Sequence, residues 1–307
     1  MSEIDAHFLR RLGSVVSSSA SAASAPGASP PGASPPAASP PPSLATDSVA
    51  PATLTTATST TASTLSFSGS PPPGIPRISR TWIITEKLSE RAVHLTQRHV
   101  DRGVGSPMTV GKFLCCLEED PTQIAFMRIY YQIPITGTED ADLATLAQQI
   151  RPREVCGELE AFRLLMSQGC SSVPRFLGYC ERQQGGNEFV PGGYAKYLAW
   201  EKVPGDPLTE EYFWSLDPLV RKDIRDKFRA AFEEMLRCGV RPQDSQISKI
   251  IYDQSTGNVR ISGFRMAWPI RGRLEWSDNR YISYALANRP KRPRKEDWLS
   301  DPETWEY

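Results

Sequence analysis

Two periods of apolar residues divide this chain. TWIIT at Thr81–Thr85, KFLCCL at Lys112–Leu117 and the alternating QIAFMRIYY of Gln123–Tyr131 predict three strands. Between Pro152 and Ser167 the period changes: Val155, Leu159, Phe162 and Met166 recur at spacings of four, three and four, predicting a helix that Gly169 stops. Two more strands are predicted at Arg175–Cys180 and Tyr197–Val203, bracketing a glycine-rich surface loop from Gln184 to Gly193. The fullest helix signal starts with Asp217 as N-cap and Pro218 at the first helical position. It continues with Val220, Ile224, Phe228, Phe232 and Met235 on one stripe and closes at Gly239. A loop from Val240 to Ser248 then leads to a hairpin, Lys249–Tyr252 and Asn258–Ile261, turning at Ser255, Thr256 and Gly257. Strands, a helix, strands, a long helix and a hairpin make an α+β arrangement, with a sheet-rich part followed by a helical one.

No such pattern exists upstream. From Ser14 to Pro76 the chain is almost wholly Ser, Ala, Pro, Thr and Gly, with Asp47 its only charge and Phe67 its only aromatic. Such a segment buries too little apolar surface to offset its ordering entropy, and its PGASP-like repeat keeps placing prolines where a helix or central strand would fail. Residues 1–78 are therefore expected to be a disordered tail and residues 79–307 a single domain. Near the start, Ile4, Phe8, Leu12 and Val15 repeat at helical spacing beside Arg10 and Arg11. That is the pattern of a transit peptide, a docking helix or a fortuitous run, with Glu3 and Asp5 against the first.

Charge and cysteine usage narrow the classes. Lys plus Arg and Asp plus Glu are equal at 35 each, which argues against bulk nucleic-acid binding and polybasic membrane attachment. The six cysteines (Cys115, Cys116, Cys156, Cys170, Cys180, Cys238) contain no CxxC pair, so neither zinc nor a disulfide framework is expected. No run approaches the roughly 20 apolar residues of a spanning helix. The expectation is a soluble protein with a protein partner, no nucleic acid and no membrane, in a reducing compartment.

Four strings carry a family resemblance: Ala125–Arg128 (AFMR), Glu158–Leu165 (ELEAFRLL), Trp200–Leu208 (WEKVPGDPL) and Cys238–Ala267 (CGVRPQDSQISKIIYDQSTGNVRISGFRMA). Together, in this order, they resemble the protein kinase superfamily, including its small-molecule phosphotransferase relatives and the divergent kinase-like proteins of filamentous fungi. The resemblance implies a two-lobed fold, with an N-lobe at about 79–203 and a short C-lobe at about 204–307. It puts Arg128 in place of the VAIK lysine, Glu158 as that cation's partner, and Glu201 and Val203 at the hinge, where backbone groups bind an adenine edge. It puts Asp244 at the catalytic-loop aspartate, Lys249 at the metal-binding asparagine and Gly263, Phe264 and Arg265 at Asp-Phe-Gly. Pro242 stands where the family has histidine, and the glycines of RGVGSPMTVG form no clear GxGxxG.

These departures alter the implied chemistry. Magnesium takes hard oxygen donors, yet Gly263 has no side chain and Lys249 carries a positive charge. No acidic residue occurs between Asp253 and Glu275, so a register slip finds no substitute. Only 40 residues follow Ala267, too few for a peptide-binding platform of the family's kind, so the C-lobe is expected to be truncated. The resemblance thus implies a catalytically inactive or severely impaired binding or scaffold protein with no metal site and Asp244 as a vestigial base. Arg128, Glu158, Glu201, Val203 and Lys249 would form a nucleotide site that needs no cofactor and holds ATP weakly, without magnesium. The competing reading is an atypical ATP-dependent phosphotransferase acting on a small molecule, with Asp244 as base and Arg128 or Lys249 supplying the metal's charge. RPKRPRK at Arg289–Lys295 fits either a nuclear-import pattern or a solvated basic loop, so the expected location is the cytoplasm, with the nucleus as alternative.

Overall fold

The computed structural model describes residues 63–65, 80–151, 157–270, 272, 274–290 and 298–307. The run at helical spacing from Ile4 to Val15, most of the tail, Pro152–Cys156 and Lys291–Lys295 lie outside them. Within the Ser/Ala/Pro/Thr-rich segment the described residues form one short strand, Ser63–Leu65. The chain divides into two compact units, Met1–Thr64 and Leu65–Tyr307.

The principal sheet of the second unit is built from β1 (Trp82–Val93), β2 (Met108–Leu117), β3 (Ile124–Gln132), β4 (Phe176–Gln183) and β5 (Tyr194–Glu201), all antiparallel, in the order β1-β2-β3-β5-β4. The first strand extends well past the predicted Thr81–Thr85, because bulges at Ile84/Glu86 and Lys87/Ser89 let it keep pairing with β2 through a polar, exposed stretch. Between β1 and β2 the short helix α1 (Gln97–Asp101) precedes Gly103 and Gly105, while Gly111 lies inside β2. The connection is therefore no tight glycine-rich hairpin. A second short helix, α2 (Leu143–Ala147), is capped by Asp142, whose carboxylate accepts from the Ala144 and Thr145 N–H groups at 3.0 Å.

Helix α3 (Gly157–Ser167) buries Leu159, Ala161, Phe162 and Leu165. Phe162 is stacked on Phe176 of β4 at 4.9 Å and meets Phe264 edge-on at 5.4 Å, fixing the helix to both the sheet and the later loops. After β5 the chain runs through Gly205, whose φ is +95°, into the two-residue strand β6 (Asp206–Pro207). A Cβ at Gly205 would lie 2.5 Å from the Tyr252 carbonyl oxygen, so this close crossing admits only glycine.

Helix α4 (Glu210–Ser215) is capped by Thr209. The predicted long helix is α5 (Pro218–Arg237): Asp217 Oδ1 accepts from the Leu219 N–H at 2.8 Å, and Gly239 leaves the helix at φ +76°. Its stripe of Ile224, Phe228, Phe232 and Met235 is completely buried. Beyond it, β7 (Val240–Arg241) pairs with β10 (Trp268–Pro269), and the hairpin of β8 (Ile250–Asp253) and β9 (Asn258–Ile261) also receives β6. The predicted strand at Lys249 starts one residue later, because Ile247–Lys249 is a turn of 3-10 helix. Finally α6 (Asn279–Ser283) and the last residues fold back: Trp305 is buried, Asn288 pairs with Glu306, and Tyr307 lies against Tyr281. The architecture is mixed α and β, with the antiparallel sheet and helices joined by one continuous apolar core that runs from α3 to Trp305. Among the described residues no helix is long and apolar enough to cross a membrane.

Candidate functional site: a cationic cluster beneath the sheet

Alternation along β3 turns Phe126, Arg128 and Tyr130 to one face and Ala125, Met127 and Ile129 to the other. Directly across the β2–β3 pairing, Lys112 is the partner of Arg128 and shares its face. Helix α3 brings up Glu158, almost wholly buried, which pairs with Arg128 and accepts a hydrogen bond from the Tyr130 hydroxyl at 2.9 Å. Burial, the largest influence on Arg128, would lower its pKa. The Glu158 carboxylate and the Tyr130 phenol outweigh it and hold the guanidinium above its ordinary value. The Lys112 ammonium lies 4.1 Å from the centre of the Phe126 ring. Its pKa is pushed down by burial first, then by the charges of Arg128 and Lys249, with Glu158 opposing.

The charge of Lys249 is thus felt at Lys112. The Lys249 backbone is fixed by the 3-10 turn and by the Ser262 N–H, which donates to the Lys249 carbonyl at 2.8 Å. This pairing lays the Lys249 side chain over Gly263. A Cβ on Gly263 would lie 2.7 Å from Lys249 Cδ, and Gly263 itself has φ +91°. The lysine then reaches Asp244, with Nζ to Oδ2 at 3.2 Å. Phe264, immediately after Gly263, is buried beneath α3 against Phe162.

At the end of β5, the Glu201 N–H is already engaged with the Arg175 carbonyl at 2.9 Å, while Val203 is buried. Among the described residues the Val203 N–H has no backbone hydrogen-bond partner. Between these positions and Arg128 stand two large rings: Phe126 and Trp200, partners across β3 and β5, have centroids 6.0 Å apart. Arg128 also lies over Trp200 at 5.1 Å.

Arg128, Glu158, Lys249 and Asp244 are thus brought to one region, with Glu201 and Val203 along its edge. Lys112 belongs to the same cluster and has no sequence signal of its own, since only the strand register places it opposite Arg128. Three cations face two carboxylates, an arrangement that attracts anions and repels a divalent cation. The residues do not fit magnesium: Gly263 offers no side-chain oxygen, and the methylene stem of Lys249 occupies the space above it, its ammonium reaching Asp244. Among the described residues no group of three or more His, Cys, Asp or Glu could hold a metal ion. A surface cavity of about 680 Å³ lies apart from this cluster, lined by Asp206, Thr209, Tyr212, Tyr252 and Asp253. Asp253 spends its oxygens on Ser255 and Thr256 of its own turn.

No protein-family model and no curated protein matches the chain. Among solved structures it is similar to the kinase PK-1 of Cydia pomonella granulovirus, at 12% identity and a TM-score of 0.37, over 61% of this chain and 52% of that one. The match spans about half the length of the viral kinase.

Proposed function

We propose that residues 79–307 form a degenerate kinase-like domain, two-lobed with a reduced second lobe, that acts by binding a protein partner and does not transfer phosphate. The observation that carries this reading is Lys249 lying over Gly263 and paired with Asp244. Phosphoryl transfer in this fold depends on metal ions that neutralise phosphate charge and on a carboxylate free to orient the acceptor. Here the stem of Lys249 fills the space over Gly263, where the resemblance implies a metal ligand, and its ammonium engages the carboxylate. The Arg128–Glu158 pair and the Phe264 anchor beneath α3 support the kinase-like assignment, since each joins strings that the resemblance places together.

The test is turnover by the purified chain with ATP and magnesium. The expected result is no phosphate release and no transfer above a protein-free control. Turnover abolished by Asp244→Ala would overturn the proposal and favour a small-molecule phosphotransferase with Lys249 in place of the metal.

A second reading concerns binding alone, and the convergence of Lys112, Arg128 and Lys249 favours it. A nucleotide polyphosphate would be held by these cations without metal. Phe126 and Trp200 crowd the edge where a base would lie, so affinity is expected to be weak. A ligand that binds only the folded state raises its melting temperature. ATP in the presence of a chelator should therefore raise Tm in the wild type and less in Lys112→Met. No shift at millimolar ATP would leave the scaffold reading alone.

A further inference from the structure

Of the three cations beneath the sheet, two are engaged with acids: Arg128 with Glu158 and Lys249 with Asp244. Among the described residues Lys112 has neither an acid partner nor a hydrogen-bond acceptor. It is half-buried, stands across the β2–β3 ladder from Arg128, and lies with its ammonium 4.1 Å from the centre of the Phe126 ring. Glu158 does not serve it, because one carboxylate oxygen is paired with Arg128 and the other accepts from the Tyr130 hydroxyl at 2.9 Å. An ammonium half out of water and without a counterion marks a place where an anion belongs.

The neighbouring positions on the same face decide what else such an anion can carry. Phe126 and Trp200 are partners across β3 and β5, so both rings lie on the face that Arg128 shares. Along their strands they come between Arg128 and Glu201. Trp200 is 6% exposed and is held from three directions: by Phe126 at 6.0 Å, by Phe162 of α3 at 5.9 Å and by the Arg128 guanidinium at 5.1 Å. Phe126 touches both that ring and the Lys112 ammonium. At the edge where the resemblance places an adenine, the Glu201 N–H is already given to the Arg175 carbonyl. A planar base would have to displace rings that are packed against α3, whereas phosphates alone meet only the cations.

We infer that Phe126 and Trp200 are specificity residues that keep a nucleobase out, and that the ligand of Lys112 is a polyphosphate carrying no base. The inference deepens the metal-free binding reading above and rests on it. Lysine is suited to this role, since its compact ammonium acts as a point charge on any phosphate oxygen and reads nothing beyond it. ATP is tripolyphosphate with adenosine attached, and in chelator the two carry nearly the same charge, so a comparison of the two isolates the base.

The test is calorimetric titration of the full chain, in chelator and at fixed ionic strength, with inorganic tripolyphosphate, ATP and adenosine. Tripolyphosphate is expected to bind saturably, ATP at least about threefold more weakly, and adenosine not at all. Lys112→Met should weaken tripolyphosphate binding by about tenfold or more, whereas Lys222→Met, which removes a charge from the exposed face of α5, should leave it within about twofold. Phe126→Ala, which removes a ring and keeps every cation, should bring ATP to at least the affinity of tripolyphosphate. Should that variant fail to fold, the wild-type comparison and Lys112→Met decide alone. ATP binding less than about threefold more weakly than tripolyphosphate, or more tightly, overturns the inference and leaves the nucleotide reading standing. Absence of binding by both overturns the inference and that reading together. Equal losses in Lys112→Met and Lys222→Met would reveal attraction by net charge alone and overturn the inference.

Discussion

Two ion pairs of this molecule, Arg128–Glu158 between β3 and α3 and Lys249–Asp244 within one loop, differ in what surrounds them. Arg128 and Glu158 are 12% and 2% exposed, with a tyrosine hydroxyl completing the carboxylate's bonding. Lys249 and Asp244 are 26% and 38% exposed, and the pair is open to water. The first pair sits where water cannot compensate the loss of one partner, so breaking it weakens the junction of the sheet and α3 that the apolar core also holds. The second contributes little to folding, and under the proposed reading it is the pair that bears on which ions enter the region. On that reading, stability and ligand chemistry are carried by different charges.

Arg128→Ala tests this contrast most severely. It leaves Glu158 buried without a cation and is expected to destabilise the fold by roughly 3–5 kcal/mol in urea unfolding. Replacing both partners with apolar residues, Arg128→Met with Glu158→Leu, should recover most of that loss. A cost under about 1 kcal/mol for the single variant would mean that the pair is hydrated and the contrast wrong.

Next in size is Gly263→Ala, expected to cost about 1–3 kcal/mol, because it forces an L-residue to φ +91° and drives a methyl group into Lys249. Adding Lys249→Ala should recover the part due to the collision and leave the backbone part, a comparison readable in denaturation midpoints. Lys249→Ala alone is expected to change stability by no more than about 1 kcal/mol, while reducing the Tm increase given by ATP in chelator. The smallest effect is expected from Lys249→Asn with Gly263→Asp, which returns two oxygen donors. Aspartate tolerates the left-handed region better than alanine. A magnesium-dependent nucleotide shift, worth about 1 kcal/mol or less and absent from the wild type, should appear in thermal titration.

Much of the framework could be read from residue order alone. Asp217, Pro218 and Gly239 mark the ends of α5 because capping and left-handed exit are local events, settled within a few residues. The short helices α1, α2 and α4 left no comparable signal: five or six residues cannot show a helical period, and such helices are held by caps and neighbours. In the cluster beneath the sheet, Arg128, Glu158, Asp244 and Lys249 could be named in advance because they fall within recognisable strings. Lys112 could not, since its role comes from pairing with a residue 16 positions away.

At Gly205 the chain leaves β5 and is at once laid against the backbone of β8, with Asp206 opposite Tyr252 and the Leu208 N–H donating to the Ile250 carbonyl at 2.8 Å. That crossing is riveted, so any widening of the space beneath the sheet must drag the β8–β9 ribbon, and Lys249 at its root, along with it.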